Sequence, residues 1–180
     1  MRSSIAVIFV HLVLAGAIGC DRGARREVEQ NIRKAQEAAE VISRIDAFVY
    51  DAPVFFGQGD LARLRALPTF KSESVEFVDA PNAEGEKLEC RTFLFDGLKV
   101  YGVVSEGKLQ PISIEISAPR WKVLHDLNVG SDASRVPGAL GQPPRVMKGP
   151  VEEFSGETET VRFFISKGKI ERIELAYYFD

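Results

Sequence analysis

Residues suited to metal, redox or nucleophilic chemistry are scarce in this 180-residue chain, which has two cysteines, two histidines and one tryptophan. A zinc site needs about four nitrogen, sulfur or carboxylate ligands at short spacings. No HExxH, CxxC or EF-hand spacing occurs. There is no Gly-x-Ser-x-Gly elbow, and Gly130-Ser131-Asp132 reads as a helix cap. Gly57-Gln58-Gly59 lacks the Lys-Ser/Thr of a P-loop and the third glycine of a dinucleotide fingerprint. Glu152 and Glu153 point to opposite faces of a strand, which makes them poor acid/base partners. His125 could serve a Ser-His-Asp set only if the fold brought it to both partners, and no spacing indicates that. A basic excess is missing too: 23 Lys and Arg face 26 Asp and Glu. That balance argues against nonspecific nucleic-acid binding and against a polybasic grip on anionic lipid. No cofactor, metal, catalytic residue or nucleic-acid partner is expected.

One apolar run is present, Ile5 to Gly19, interrupted by His11. It is shorter than the roughly 20 residues of a membrane-spanning helix. A short basic start, Met1-Arg2-Ser3-Ser4, precedes it and small residues follow, as in a secretory signal. The order Leu14-Ala15-Gly16-Ala17-Ile18-Gly19-Cys20 resembles a bacterial lipoprotein signal, with Ala17 where leucine is more usual. The competing readings are an uncleaved anchor and an ordinary signal with a chance cysteine. The resemblance implies that Cys20 is lipidated on sulfur and becomes the first residue of an exported, membrane-held protein facing the periplasm. Asp21 then resembles an inner-membrane retention signal. With Cys20 in the lipid, Cys90 is the one remaining thiol and an intrachain disulfide is excluded. Cys90 lies in the alternating segment Lys87–Thr92 on the same face as Leu88. That pattern predicts a buried structural cysteine; a reactive thiol beside Arg91 is the alternative.

The spacing of Val28, Ile32, Ala35, Ala39, Ile42 and Ile45 predicts a helix over 22–48, with charged residues on its other faces. Its C-terminal half is expected to pack on a domain while its first turns form a tether from Cys20; a coiled coil or partner-binding helix is the alternative. Asp60 caps an expected helix over 60–67, which Pro68 stops. Segments 87–95, 98–105 and 108–117 alternate like strands and are separated by Asp96-Gly97 and Glu106-Gly107. They read as a three-stranded meander with type I′ turns. Residues 70–85 read as a loop with one strand near Val75–Val78.

A second meander repeats the first. Ser105-Glu106-Gly107-Lys108-Leu109, then Ile112 and Ile114, matches Ser166-Lys167-Gly168-Lys169-Ile170, then Ile173 and Leu175, with a constant offset of 61. Both copies break alternation at the same point, which predicts a shared bulge. Each has a short helix upstream; in the second it is 131–136, with Ser131 as N-cap. Asn128-Val129-Gly130-Ser131, then Leu140-Gly141-Gln142-Pro143, resembles the helix unit of SmpA/OmlA-type lipoproteins, and two such units in tandem are similar to β-lactamase-inhibitor-like folds. Pro137-Gly138 departs from that pattern. The resemblance implies binding or scaffolding rather than catalysis.

The fold class expected is α+β: two antiparallel three-stranded meander sheets in tandem, with short helices on them. The boundaries are 1–19 for the signal, 20–50 for the lipidated tether helix, 51–119 for the first half and 120–180 for the second. Trp121, Phe55, Phe56, Phe164 and Tyr178 are the candidate interaction surface. Only one member of each pair Phe163/Phe164 and Tyr177/Tyr178 can face a one-sided core. The leading expectation is a non-enzymatic, membrane-anchored periplasmic protein-binding or scaffold module, with an inhibitor or immunity type as one specific form. A ligand receptor or enzyme using a cleft between the halves, and an envelope spacer, are the alternatives.

Overall fold

A computed structural model describes residues 22–51, 59–81, 83, 85–123, 126–147, 149–157 and 159–178. Cys20, Asp21, Phe55, Phe56 and His125 lie outside the described residues. The fold is α+β. Helix α1 (Arg22–Asp51) and short helix α2 (Leu61–Arg65) precede strands β1 (Phe70–Asp79), β2 (Lys87–Phe95), β3 (Leu98–Ser105) and β4 (Lys108–Ile116). A 3-10 turn (Ala133–Arg135) running into α3 (Val136–Ala139) then leads to β5 (Val151–Ser155), β6 (Thr160–Ser166) and β7 (Lys169–Ala176). The strands form one antiparallel sheet in the order β1-β2-β3-β4-β7-β6-β5. Two compact units divide at Ala39/Glu40, and all strands belong to the second.

The expected pair of meander sheets is thus a single sheet, because β4 pairs with β7. Ile114 lies opposite Leu175, at the offset of 61 read from the sequence, and Ser113↔Ala176 and Glu115↔Glu174 flank that pair symmetrically. Tyr177 N–H donates to the Ile112 carbonyl at 2.9 Å, which mirrors Ile116↔Ile173 across the same centre. Neither strand could be an edge without exposing this apolar row to water.

The first half also has a fourth strand. β1 is ten residues long and pairs along its length with β2, where a loop with a short strand was expected. It is an edge strand whose exposed residues alternate poorly, so backbone pairing rather than a buried stripe defines it.

The turns explain the hairpins. Glu106-Gly107 and Lys167-Gly168 both have positive φ at each central residue, 51° and 74°, then 51° and 75°. These are the type I′ values that match strand twist. At Asp96-Gly97 only Gly97 is left-handed, a departure from the expected type I′ turn. The Asp96 N–H is held by the Thr69 carbonyl at 3.1 Å, and the Gly97 carbonyl by Ser117 N–H at 2.8 Å.

Each half carries a bulge beyond its Gly-Lys turn. In β4 the unpaired residue is Ile112, between Pro111 and Ser113. In β7 it is Glu171, between Ile170 and Arg172, so the bulge is not shared: Ile173, the counterpart of Ile112, is paired with Phe163. The extra residue returns Leu109 and Ile114, and likewise Ile170 and Ile173, to one buried face despite their odd spacing.

The same two turns dock the short helices. Asp60 bridges Lys108 and its side chain accepts from Ala62 and Arg63 N–H; Asp132 bridges Lys169 and accepts from Ser134 N–H. Asp132, not Ser131, is therefore the cap in the second half. The Ser131 carbonyl is used by Ile170 N–H at 2.9 Å, and its hydroxyl accepts from Asn128 N–H and donates to Asn128 Oδ1.

One face of the sheet is filled by Phe93, Phe95, Leu98, Val100, Ile114, Ile116, Phe163, Ile173 and Leu175. Over it lie Ile45, Phe48 and Val49 of α1, Leu64 of α2, and Val136 with Leu140. Phe48 and Phe163 meet at 5.9 Å between ring centroids. The Tyr177 hydroxyl donates to the Val49 carbonyl at 2.9 Å. Of the expected apolar seam of α1 only Ile45 is buried; Val28, Ile32 and Ile42 are exposed, and Phe48 and Val49 complete the buried end. No helix among the described residues is long and apolar enough to cross a membrane.

Gly102 sits where β3 crosses the β4 bulge, and a Cβ there would lie 2.2 Å from the Gln110 carbonyl oxygen. Gly102→Ala is expected to cost about 1–3 kcal/mol through backbone displacement. Urea unfolding checks it, with Gly107→Ala, where a Cβ meets no atom within 4 Å, as the control for turn strain alone.

Candidate interaction face

Register assigns side chains to faces, since directly paired residues point the same way. The face turned away from the helices carries Glu115 opposite Glu174 at the centre of the sheet. Like charges placed so are destabilising unless something neutralises them. Arg172 does this from β7, 3.8 Å from Glu115 and 3.3 Å from Glu174. Arg162 continues the row, 3.9 Å from Glu174 and bonded to Glu153. A ladder of three carboxylates and two guanidinium groups thus crosses four strands.

Phe164 belongs to this ladder. Phe163 enters the core and Phe164, next along β6, turns to the open face. The Arg172 guanidinium lies 3.7 Å from the Phe164 ring centroid, a stacked cation–π contact. Val151 is directly opposite Phe164 and is exposed. The result is an aromatic-aliphatic patch beside fixed arginines.

The other expected surface residues are dispersed. The Trp121 indole donates to the Asp96 carbonyl at 2.8 Å and meets Phe95 edge-on at 5.9 Å, so it seals the end of the β2–β3 hairpin. Tyr178 is 65% exposed after β7, while Tyr177 packs toward Val49. Trp121 and Phe164 therefore do not form one patch through their described contacts.

Two clusters had no sequence signal. Cys90 is fully buried, as its alternating segment predicts, but its partners were not foreseen: the Tyr101 phenol hydrogen-bonds to it and to Glu76. That bonding to Cys90, then burial, then Glu76 hold the phenol above its ordinary range. The partners come from three adjacent strands, β1, β2 and β3. Glu73 bonds Arg65 at 2.6 Å and also Arg91, and these guanidinium groups, Arg65 first, hold its carboxyl below the usual range against the effect of burial.

A second carboxylate pair joins α1 to the β5–β6 turn. Asp46 hydrogen-bonds Glu159, which is 2% exposed, and accepts from Glu157 N–H at 3.1 Å. A Cβ at Gly156 would lie 1.7 Å from Asp46 Oδ1, so glycine permits this approach. The two residues are far apart in the chain, and no local pattern marks them.

Among the described residues, no group of three or more His, Cys, Asp or Glu side chains is placed to hold a metal ion. A half-open recess is lined by Arg44, Ala47, Gly138 and Ala139, without a nucleophile or a carboxylate. Comparisons with protein-family models, curated proteins and solved structures find no match to the chain.

The Asp46 pair generates a pH dependence. Burial first, then the hydrogen bond to Glu159, raise Asp46 above its ordinary 3.8, against the Glu157 N–H. A carboxyl raised in the folded state adds stability below the unfolded value and loses it as pH rises through the folded one. Asp46→Asn keeps an acceptor for Glu157 N–H and removes that loss. The expected outcome is a smaller fall in urea midpoint between about pH 4 and about pH 8 than in the unaltered chain.

Proposed function

We propose that this chain is a lipid-anchored periplasmic module that binds another protein through the open face of its sheet, without catalysing a reaction. The observation that carries the reading is half-buried Phe164 on the open face, with the Arg172 guanidinium over its ring and exposed Val151 beside it. Arginine and aromatic side chains that are already ordered lose little freedom on binding and are enriched among interface anchors. The flanking Glu153, Arg162 and Glu174 supply a polar rim of fixed sign order.

The anchor is Cys20, with Asp21 directing retention at the inner membrane. Residues 26–40 of α1 are exposed and charged, in keeping with a solvated linker between the lipid and the sheet. In the sheet, β2–β4 and β5–β7 are two copies of a three-stranded meander unit, the tandem arrangement that resembles SmpA/OmlA-type units. Their matched turns, matched helix caps and the central Ile114–Leu175 pair support that reading.

Two measurements test the proposal. Mass spectrometry of the full chain purified from membranes should show an acylated N-terminal Cys20, and Cys20→Ser should release the protein from the membrane fraction. Crosslinking in membranes should recover a defined partner with the unaltered chain. Phe164→Ala combined with Arg172→Glu should lower that recovery at least about tenfold, the loss of roughly one hot-spot residue. Equal recovery by the folded double variant would reject the open face as the binding surface.

A further inference from the structure

We propose that the outer edge of β1 pairs with the same edge of a second copy of this chain, antiparallel and centred on Val75. β1 ends the sheet, and its outer backbone groups have no strand partner among the described residues. It is long for an edge strand, and it exposes two apolar side chains on one face, Val75 at 48% and Phe77 at 65%. Exposed edges of this kind invite strand addition.

The strand is complementary to its own reverse. Centring on Val75 places Val75 beside Val75 of the second copy and Phe77 beside Glu73 of that copy. Both Val75 and both Phe77 side chains then share one face, as adjacent strands require. Ser74 falls opposite Glu76 of the other copy, a hydroxyl facing a carboxylate. Just beyond each end of the regular ladder, Lys71 of one copy and Asp79 of the other come near as opposite charges. In the single chain Lys71 pairs with Asp96 and Asp79 with Lys87, all through exposed side chains. Such pairs are worth little alone, so both groups remain available to a second copy. Glu73 does not oppose the contact, since Arg65 and Arg91 neutralise it.

The irregularity in β1 selects this register. The ladder to β2 shifts between Phe70 and Ser72, so regular extended backbone begins at Ser72. Bulges of this kind limit how far an edge can be extended. Ser72–Val78 is the longest stretch centred on Val75 that avoids the shift. This surface is separate from the Phe164 patch, which lies on the far β5–β6–β7 end of the sheet. An extended basic segment of another protein could use the same edge, and the test distinguishes it.

The experiment uses the full chain in mild detergent. Sedimentation with density matching should give twice the protomer mass, and Val75→Lys should return it to the protomer mass with an unchanged circular dichroism spectrum. Oxidised Val75→Cys should form a disulfide-linked dimer, since only the central residue meets itself across the two-fold. Ser74→Cys and Glu76→Cys should form at least about five times less, because Cβ atoms diagonal to each other lie roughly 7–8 Å apart. Cys90 is buried and does not compete. Lys71→Asp should weaken the dimer, and adding Asp79→Lys should restore it. A protomer mass for the unaltered chain, or equal crosslinking at all three positions, would overturn the proposal; an edge reserved for a foreign segment would give that first result.

Discussion

Everything else in this fold rests on the pairing of β4 with β7. Each meander alone would end in a strand whose inward row is apolar: Ile114 and Ile116 in one, Ile173 and Leu175 in the other. Left as edges, those rows would stay hydrated along one side. Joining them removes two edges at once and makes a continuous floor for the helices. The fully buried Ile114, Ile116, Ile173 and Leu175 bring the transfer of four large apolar side chains, roughly 1.5–3 kcal/mol each, to the join.

That join also decides where chemistry can sit. A cleft between halves needs two bodies separated by solvent, but here the halves meet through backbone hydrogen bonds and an interdigitated core. The helical layer covers one face and leaves the other to water. On that free face the pairing forces Glu115 and Glu174 into opposition, and Arg172 and Arg162 answer the repulsion. Arg172 is held in place by this demand, and Phe164 finds its cover there. The candidate site is therefore a consequence of the central pairing and not an addition to it.

Much of the β-structure was legible in sequence because it is local. Gly-Lys turns, the alternation of β2, β3 and β4, and the offset of 61 read directly from neighbours. The broken alternation after Leu109 and Ile170 foretold a bulge in each strand, but not a shared one: Ile112 and Glu171 are not counterparts at the offset of 61. What was not legible is long-range. β1 has a weak apolar stripe, so its pairing is visible only from β2. One sheet in place of two depends on Ile114 meeting Leu175, and no local pattern distinguishes a buried central strand from the last strand of a separate meander. Phe164 was flagged by the rule that adjacent strand residues cannot share a face, but its stacking on Arg172 needed the register. The burial of Cys90 was legible from its alternation, but its bonding to Tyr101 and Glu76, and that of Asp46 to Glu159, had no signal, because each joins separate elements.

The two ends of the sheet differ in what they present to solvent. At the β5 end, the edge strand is five residues long. Its neighbour β6 presents Phe164, so the face carries the ordered side chains. At the β1 end, an added strand of ten residues extends the sheet and its apolar side chains lie at the margin, so the backbone edge is what is on offer. Face binding selects partners by side-chain chemistry; edge binding selects them by register and length. A strand whose bulge limits its reach and whose charges match its own reverse is specific for few sequences, and its own is among them. A short edge at one end and a bounded edge at the other leave no long, indiscriminate template for aggregation.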